Sequence, residues 1–521
     1  MKKLFLIITI LASTVILAFI SQPKTRHSPP NLPALVQAQT TGTDWPQVQK
    51  DAAHTGYSSE TLGTNFKVAW THPFQPDRVH PQVQAIIYKG KAFVGTEGAN
   101  GQKPTLYALN STNGQEVWKF EAGGPILNSV AADNGKVFFG SLDGAVYAIY
   151  TDTENGHTQG QLAWKQQLSQ RLGFSTAPIV ADNKVMLGGQ DGYFYALDPG
   201  DGHTIWRYDA DAPIIQTAAY DQGKVFFGTL DMYVYGLNTS PANTNDPASI
   251  LAWKSAKLDG KGFKDYWPVV TQGKVLARPI PKEPWVYTGF PNLGFPFVQI
   301  WSASDPNWTW LNTNSSAIAA GHAAQVADII NSQNKAIASY EANPGSFQKN
   351  LYVLDENTGR EPFAVPQWIE QTMNGTPAAP CVDRDGKLVT PVSFIRSGWG
   401  RLELATSSGR ITDLLYDGYD WYEQPFNSTS GGSPAGMGNP DENLAVSCTA
   451  NLILSAHHME TNANYTGAFN LDTRRWIQIP PGYRNSQMFN NTQAGGTNPF
   501  SISNGMIYHV AVNELVARTT N

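Results

Sequence analysis

Short apolar runs, each about a strand long, alternate along this chain with clusters of Asp, Asn and Gly, and the alternation itself repeats. Gly135-Lys136-Val137-Phe138-Phe139-Gly140 returns as Gly223-Lys224-Val225-Phe226-Phe227-Gly228, with Asn183 to Gly188 and Lys91 to Gly95 as further copies. Each is followed by an aromatic phrase: Leu106 to Leu109, Val146 to Ile149, Phe194 to Leu197 and Val234 to Leu237. Trp70, Trp118, Trp164, Trp206 and Trp253 close the units at spacings of 48, 46, 42 and 47. Asn, Asp and Gly tolerate the positive φ of tight hairpin turns. Four short strands in about 45 residues is the period of a propeller blade. A blade cannot bury both faces alone, so blades must stack in a ring. The pattern predicts an all-β propeller of four-stranded blades, eight in number, with seven as the alternative.

Beyond Trp253 the pattern loosens. Trp267 to Leu276 opens a fifth unit whose aromatic strand is Leu351 to Leu354. Residues 281–348 are then an insertion within the fifth blade. It holds Trp285, Tyr287, Phe290, Phe295, Phe297, Trp301, Trp308 and Trp310, then a helix over Ser316 to Tyr340 with an apolar stripe. These rings are read first as docking the insertion onto the propeller. A sugar-stacking platform or partner surface is the functional alternative. Pro377 to Leu415 and Asn443 to Trp476 supply a sixth and a seventh unit. Phe500 to Ala517 gives three strands and Phe66 to Trp70 a fourth, which together close the ring within residues 44–521.

The N-terminus changes the cellular picture. Lys2 and Lys3 precede an uncharged apolar run over Leu4 to Ile20. Residues 1–20 are a signal peptide or a membrane anchor, and both remain open. Residues 21–43 read as a flexible linker. The protein is expected outside the cytoplasm: periplasmic, cell-surface or secreted. Net charge is −6 and charged residues are 15% of the chain, without a clustered basic face, so nucleic acid is not an expected partner. Cys381 and Cys448 are the two cysteines. They are read as small buried side chains, with a disulfide permitted by export.

The repeated units resemble those of the quinoprotein alcohol dehydrogenase-like superfamily, the PQQ-like repeats, well over Asp44 to Trp253 and weakly beyond. The opening Asp44-Trp45-Pro46 with His54-Thr55-Gly56 is similar to the start of exported bacterial members. The resemblance implies a propeller and leaves function open, since the superfamily holds both dehydrogenases and non-catalytic scaffolds. Its dehydrogenases carry a vicinal cysteine pair and a calcium site, neither of which maps onto these residues. A non-catalytic scaffold binding a protein or a surface polysaccharide, with residues 281–348 as the contact, is therefore the leading expectation. The alternatives are a PQQ- and calcium-dependent alcohol or sugar dehydrogenase, and a carbohydrate-binding protein using the inserted aromatics. No cofactor is expected outside the dehydrogenase reading.

Individual candidates carry little chemistry. Asp143, Asp191 and Asp231 recur at one position of successive blades, where turn formation explains them better than metal binding. His457-His458-Met459-Glu460 holds three potential ligands, but strand alternation places only His458 and Glu460 on one face, short of a zinc site. No catalytic, cofactor-binding or metal residue is assigned.

Overall fold

A computed structural model describes residues 43–170, 172–260, 262–263, 267–280, 351–362, 380–392, 398–402, 411–415, 446–457, 465–473, 475–479, 499–510 and 514–521. The chain divides into Met1–Gly42 and Thr43–Asn521, and the second unit holds every strand that follows. The expected N-terminal apolar segment, the linker, the 281–348 insertion with its helix, and His458 to Glu460 lie outside the described residues. No described helix is long and apolar enough to cross a membrane.

The described residues form an all-β propeller with almost no helix. Sheet 1 is built from Ile86–Tyr88, Lys91–Gly95, Thr105–Asn110 and Glu116–Glu121. Sheet 2 uses Ala131–Asp133, Lys136–Gly140, Ala145–Tyr150 and Leu162–Gln167. Sheet 3 uses Ile179–Ala181, Lys184–Gly188, Tyr193–Leu197 and Thr204–Asp209. Sheet 4 uses Ala219–Asp221, Lys224–Gly228, Val234–Asn238 and Leu251–Lys254. Sheet 5 has three described strands, Val269–Thr271, Lys274–Ala277 and Tyr352–Asp355. Sheet 6 runs through Cys381–Val382, Leu388–Val392, Gly398–Leu402 and Ile411–Leu415. Sheet 7 runs through Val446–Thr449, Leu452–His457, Tyr465–Asn470 and Arg475–Gln478, with Tyr57–Ser58 added in parallel as a fifth strand. In sheet 8, Ser501–Ser503, Met506–Val510 and Glu514–Thr519 are completed by Lys67–Pro73 from the other end of the chain. Seven sheets thus carry four or five strands, and sheet 5 carries three.

Burial along each unit follows from this stacking. The second strand of sheets 1 to 4, such as Lys136–Gly140, is buried on both faces after its first residue. The outermost strand of sheets 1 to 3 buries only its tryptophan. Inner strands are covered by neighbouring sheets on both sides, so continuous apolar runs win there. The rim meets water, so charges return.

The periodic tryptophans fasten one sheet to the next. Each indole Nε1–H donates to a carbonyl in the turn that follows the third strand of the next sheet: Trp70 to Ser111 (3.0 Å), Trp118 to Thr151 (3.2 Å), Trp164 to Pro199 (3.2 Å), Trp206 to Thr239 (3.0 Å) and Trp253 to Glu356 (2.8 Å). A buried indole needs such an acceptor. The ring then lies on the turn glycine: a Cβ at Gly202 would stand 2.5 Å from Trp164 Cε3, and Gly202 also has φ of 81°. Only glycine satisfies both demands.

Cys381 and Cys448 are joined in a disulfide with a Cα–Cα distance of 5.9 Å, correcting the reading of two separate buried thiols. They stand on the innermost strands of sheets 6 and 7. Ring packing brings residues 67 positions apart into bonding range, which their sequence separation does not reveal.

Candidate functional site

The innermost strands surround the propeller axis, and residues 45–58 run around that axis as a strap. Trp45 and Ile87 of sheet 1 exchange backbone hydrogen bonds at 2.8 and 2.9 Å. Ala132 N–H of sheet 2 donates to Pro46 O (2.8 Å). At sheet 3 the Gln47 amide does the same work, accepting from Val180 N–H (2.8 Å) and donating to Val180 O (3.0 Å). Tyr220 of sheet 4 donates to Ala52 O, Val270 of sheet 5 to Ala53 O, Val382 of sheet 6 to Thr55 O, and Cys448 of sheet 7 to Gly56 O, all within 2.6–2.8 Å. An N–H on the innermost strand of seven successive sheets is therefore spent on one continuous segment. Left unpaired, each would cost roughly 1–3 kcal/mol.

Local chemistry shapes the strap. Gln49, Lys50 and His54 take left-handed conformations with φ of 51°, 72° and 57°. The Asp51 carboxylate accepts from Thr55 N–H (3.0 Å) and from the Thr55 hydroxyl, closing a turn. Burial raises the Asp51 pKa, partly offset by those hydrogen bonds. His54 is fully buried, with Nδ1 3.1 Å from Pro268 O and its ring edge-on to Trp267. Burial pushes it down to about 3, so it is a neutral structural side chain. Gln49 ties the strap to sheet 7 through Val446 O (2.9 Å), and its N–H meets Gln84 Oε1 (2.8 Å). Gln84 in turn donates to Phe500 O (3.2 Å) before sheet 8.

Where the chain enters the innermost strands, amides and hydroxyls meet. Asn128 Nδ2 donates to Ser175 O (3.0 Å) and reaches past sheet 3 to Thr217 Oγ1 (3.4 Å). Thr217 also accepts from Ala177 N–H (2.9 Å), and Gln84 N–H donates to Ser129 Oγ (2.8 Å). These groups satisfy one another and offer no carboxylate cage.

The aspartates expected in turns lie in three separate sheets. Asp143 accepts from Ala145 N–H (3.0 Å), Tyr147 OH (2.5 Å) and Lys165 Nζ (3.0 Å). Burial alone would raise its pKa; these hydrogen bonds together hold it below the usual value. Asp191 accepts from Tyr195 OH (2.7 Å), and Asp231 from Thr229 Oγ1 (2.5 Å). They do not converge. His457 ends a strand of sheet 7, and its partners in the sequence motif lie outside the described residues. Among the described residues one acidic and histidine cluster forms, Asp198, Asp201 and His203, in a sheet 3 turn. There Asp198 accepts from Gly200 N–H (2.7 Å), and Asp201 Oδ1 lies 2.7 Å from His203 Nδ1. Sequence reasoning missed the strap, whose one outward sign was the Asp44-Trp45-Pro46 and His54-Thr55-Gly56 phrase.

A calcium-bound quinone needs carboxylate and amide oxygens around the metal. The described axial groups are amides and hydroxyls, mostly paired, with Gln49 Oε1 and Ser175 Oγ left over; Asp51 is spent on Thr55, and the cysteines bridge two sheets instead of standing side by side, so no described carboxylate is free to hold a calcium ion there. The described residues do not fit that group.

Comparison with known proteins gives the same architecture. A profile of the family described as outer membrane protein assembly factor BamB matches residues 66–159 and 102–278. The BamB of Marinobacter adhaerens is 27% identical over 146 residues, 28% of this chain and 31% of that protein. Quinohemoprotein alcohol dehydrogenase ADH-IIG of Pseudomonas putida is 28% identical over 162 residues, 27% of this chain and 21% of that protein. The chain thus spans about a third or less of the length of these two relatives. The crystal structure of quinohemoprotein alcohol dehydrogenase from Comamonas testosteroni superposes with a TM-score of 0.50 at 12% identity, covering 92% of this chain and 80% of that one, a likeness of fold. Over residues 66–278 the repeats of this chain are similar to the PQQ-like repeats shared by the assembly factors and the quinoprotein dehydrogenases.

Proposed function

We propose that this protein is an extracytoplasmic, non-catalytic propeller that acts as a scaffold for another protein. The observation that carries the reading is the strap: the axis, where a propeller would hold a small ligand, is edged by backbone groups already paired with residues 45–56. Of the buried ionisable groups beside it, His54 is held neutral by burial and the Asp51 carboxylate is engaged by Thr55. Similarity to assembly factors supports the partner class, and a contact through residues 281–348 belongs to the same proposal. That segment joins the paired strands Lys274–Ala277 and Tyr352–Asp355 of sheet 5. We also take sheet 5 as an eighth blade, because its Val270 N–H meets the strap as the equivalent groups of its neighbours do.

Cross-linking of the full chain in envelope fractions is expected to capture a protein partner, and replacing 281–348 by a short Gly-Ser link is expected to abolish capture. A stable monomer with no cross-linked partner overturns the reading. The dehydrogenase reading is favoured by relatives named as alcohol dehydrogenases at equal identity. Its mark would be saturable, calcium-dependent quenching of tryptophan fluorescence by the quinone, with dye reduction.

A further inference from the structure

Away from the axis, the rim carries a cleft of about 510 Å³ that the repeat pattern does not explain. Its floor is the outermost strand of sheet 3, Thr204–Asp209, and one side is Gln166 to Leu168 at the end of sheet 2. The opposite wall is the connection between the last two strands of sheet 4, residues 239–250. The equivalent connection of sheet 3 is six residues, Asp198 to His203; this one is longer and ends in a single helical turn, Pro247–Ile250, capped by Asp246. Ile250 and the buried Trp206 share one apolar cluster, which fixes that wall against sheet 3.

Part of the lining is polar and uncommitted, beside the apolar Leu168, Ile205, Trp206, Pro247 and Ile250 and the engaged Gln167 and Tyr195. Gln166, Thr204, Thr244 and Asn245 have no side-chain hydrogen bond to any described residue, and Arg207 stacks its guanidinium 4.8 Å over the Tyr193 ring without a hydrogen-bonded partner. No Asp or Glu lines the cleft; the neighbouring Asp246 has Oδ1 engaged by Ala248 N–H (3.0 Å). Two planar amides, two hydroxyls and one guanidinium match a ligand rich in hydroxyls that carries one anion. A guanidinium pairs a carboxylate with two parallel hydrogen bonds, while amides and hydroxyls serve sugar hydroxyls. The volume falls within the roughly 300–1,000 Å³ range of small-ligand sites. A peptide added to the edge strand fits less well. A bulge interrupts the ladder where Thr204 and Trp206 oppose Leu197 and Ala196, which breaks the regular main-chain spacing that strand addition uses.

We propose that the cleft between sheets 2 and 3, walled by residues 239–250, binds a saccharide bearing a carboxylate, a uronate-type sugar, with Arg207 on the carboxylate and Gln166, Thr204, Thr244 and Asn245 on its hydroxyls. The site is independent of the scaffold reading and of residues 281–348. The test is titration of the purified full chain with trigalacturonate, its methyl ester and inorganic phosphate, followed by calorimetry and by the fluorescence of Trp206. Trigalacturonate is expected to saturate. The ester is expected to bind at least tenfold more weakly, and Arg207→Gln is expected to lose at least tenfold in affinity for trigalacturonate with an unchanged melting temperature. Asn245→Ala is expected to weaken it severalfold. Absence of saturable binding, equal binding by Arg207→Gln, or phosphate binding as tightly as trigalacturonate would each overturn the assignment.

Discussion

Sheets 1 to 4 and sheets 5 to 8 solve the same packing problem by different means. In the first group every neighbour is fastened by an indole hydrogen-bonded to the next sheet's turn, so each joint is made from residues within about one repeat of each other. The strap touches both groups, but in the second group it is joined by other links long in sequence: the Cys381–Cys448 bridge, and Lys67–Pro73 paired with Glu514–Thr519. Local joints tolerate loss of distant chain; remote joints fail together.

Acid should expose this contrast most strongly. His54, on the strap against Pro268 beside sheet 5, and His509, on Met506–Val510 of sheet 8, are held neutral by burial and pushed down to about 3. The unfolded chain takes up these protons near pH 6.5. Stability is therefore full above pH 6.5 and lost as pH falls toward 3. The loss is about 3 kcal/mol per histidine by pH 4. Asp51, raised by burial, works in the opposite direction. Urea midpoints across this range measure the slope, and His54→Gln is expected to remove about half of it. A flat profile breaks the comparison.

Replacing both cysteines by Ala opens a 67-residue loop and is expected to cost about 4 kcal/mol. Hydrogen exchange should then rise in sheets 6 and 7 while sheets 2 and 3 stay protected. Gln49→Ala leaves Val446 O unpaired and should cost about 2 kcal/mol, with the same distribution of exchange. Trp206→Phe keeps the ring and removes the bond to Thr239 O; about 1 kcal/mol, confined to sheets 3 and 4, is expected in thermal melts. Equal spread of exchange in the last two variants would erase the distinction between near and remote joints.

The near joints were legible in the sequence because one unit repeats them. Trp118, Gly135-Lys136-Val137 and Tyr147 each carry a spacing and a turn that return several times, and the propeller class follows from that alone. The remote joints carry no such mark. The strap works mainly through backbone groups of Pro46, Ala52, Ala53, Thr55 and Gly56, so its side chains need not announce their partners. Cys381 and Cys448 are paired by ring closure, which no spacing encodes. Asp143, Asp191 and Asp231 were readable as turn residues because their hydrogen bonds stay within a single sheet. The rim cleft escaped notice because it depends on an irregular connection, residues 239–250, lying against another unit.

The strap has a consequence in time. A ribosome makes residues 45–58 before any of the strands they bind, and those partners are spread from Ile87 to Cys448. Early sheets can form and fasten to one another as they emerge, but the segment at the axis must wait until nearly the whole chain is present. Lys67–Pro73 waits longer still, for Glu514–Thr519. Contacts of such separation close slowly, because a long loop must be ordered before any of them is made. Segments made early are thus among the last to find their place. Until it does, an unfinished ring exposes open inner edges to any chaperone or neighbouring strand that reaches them first.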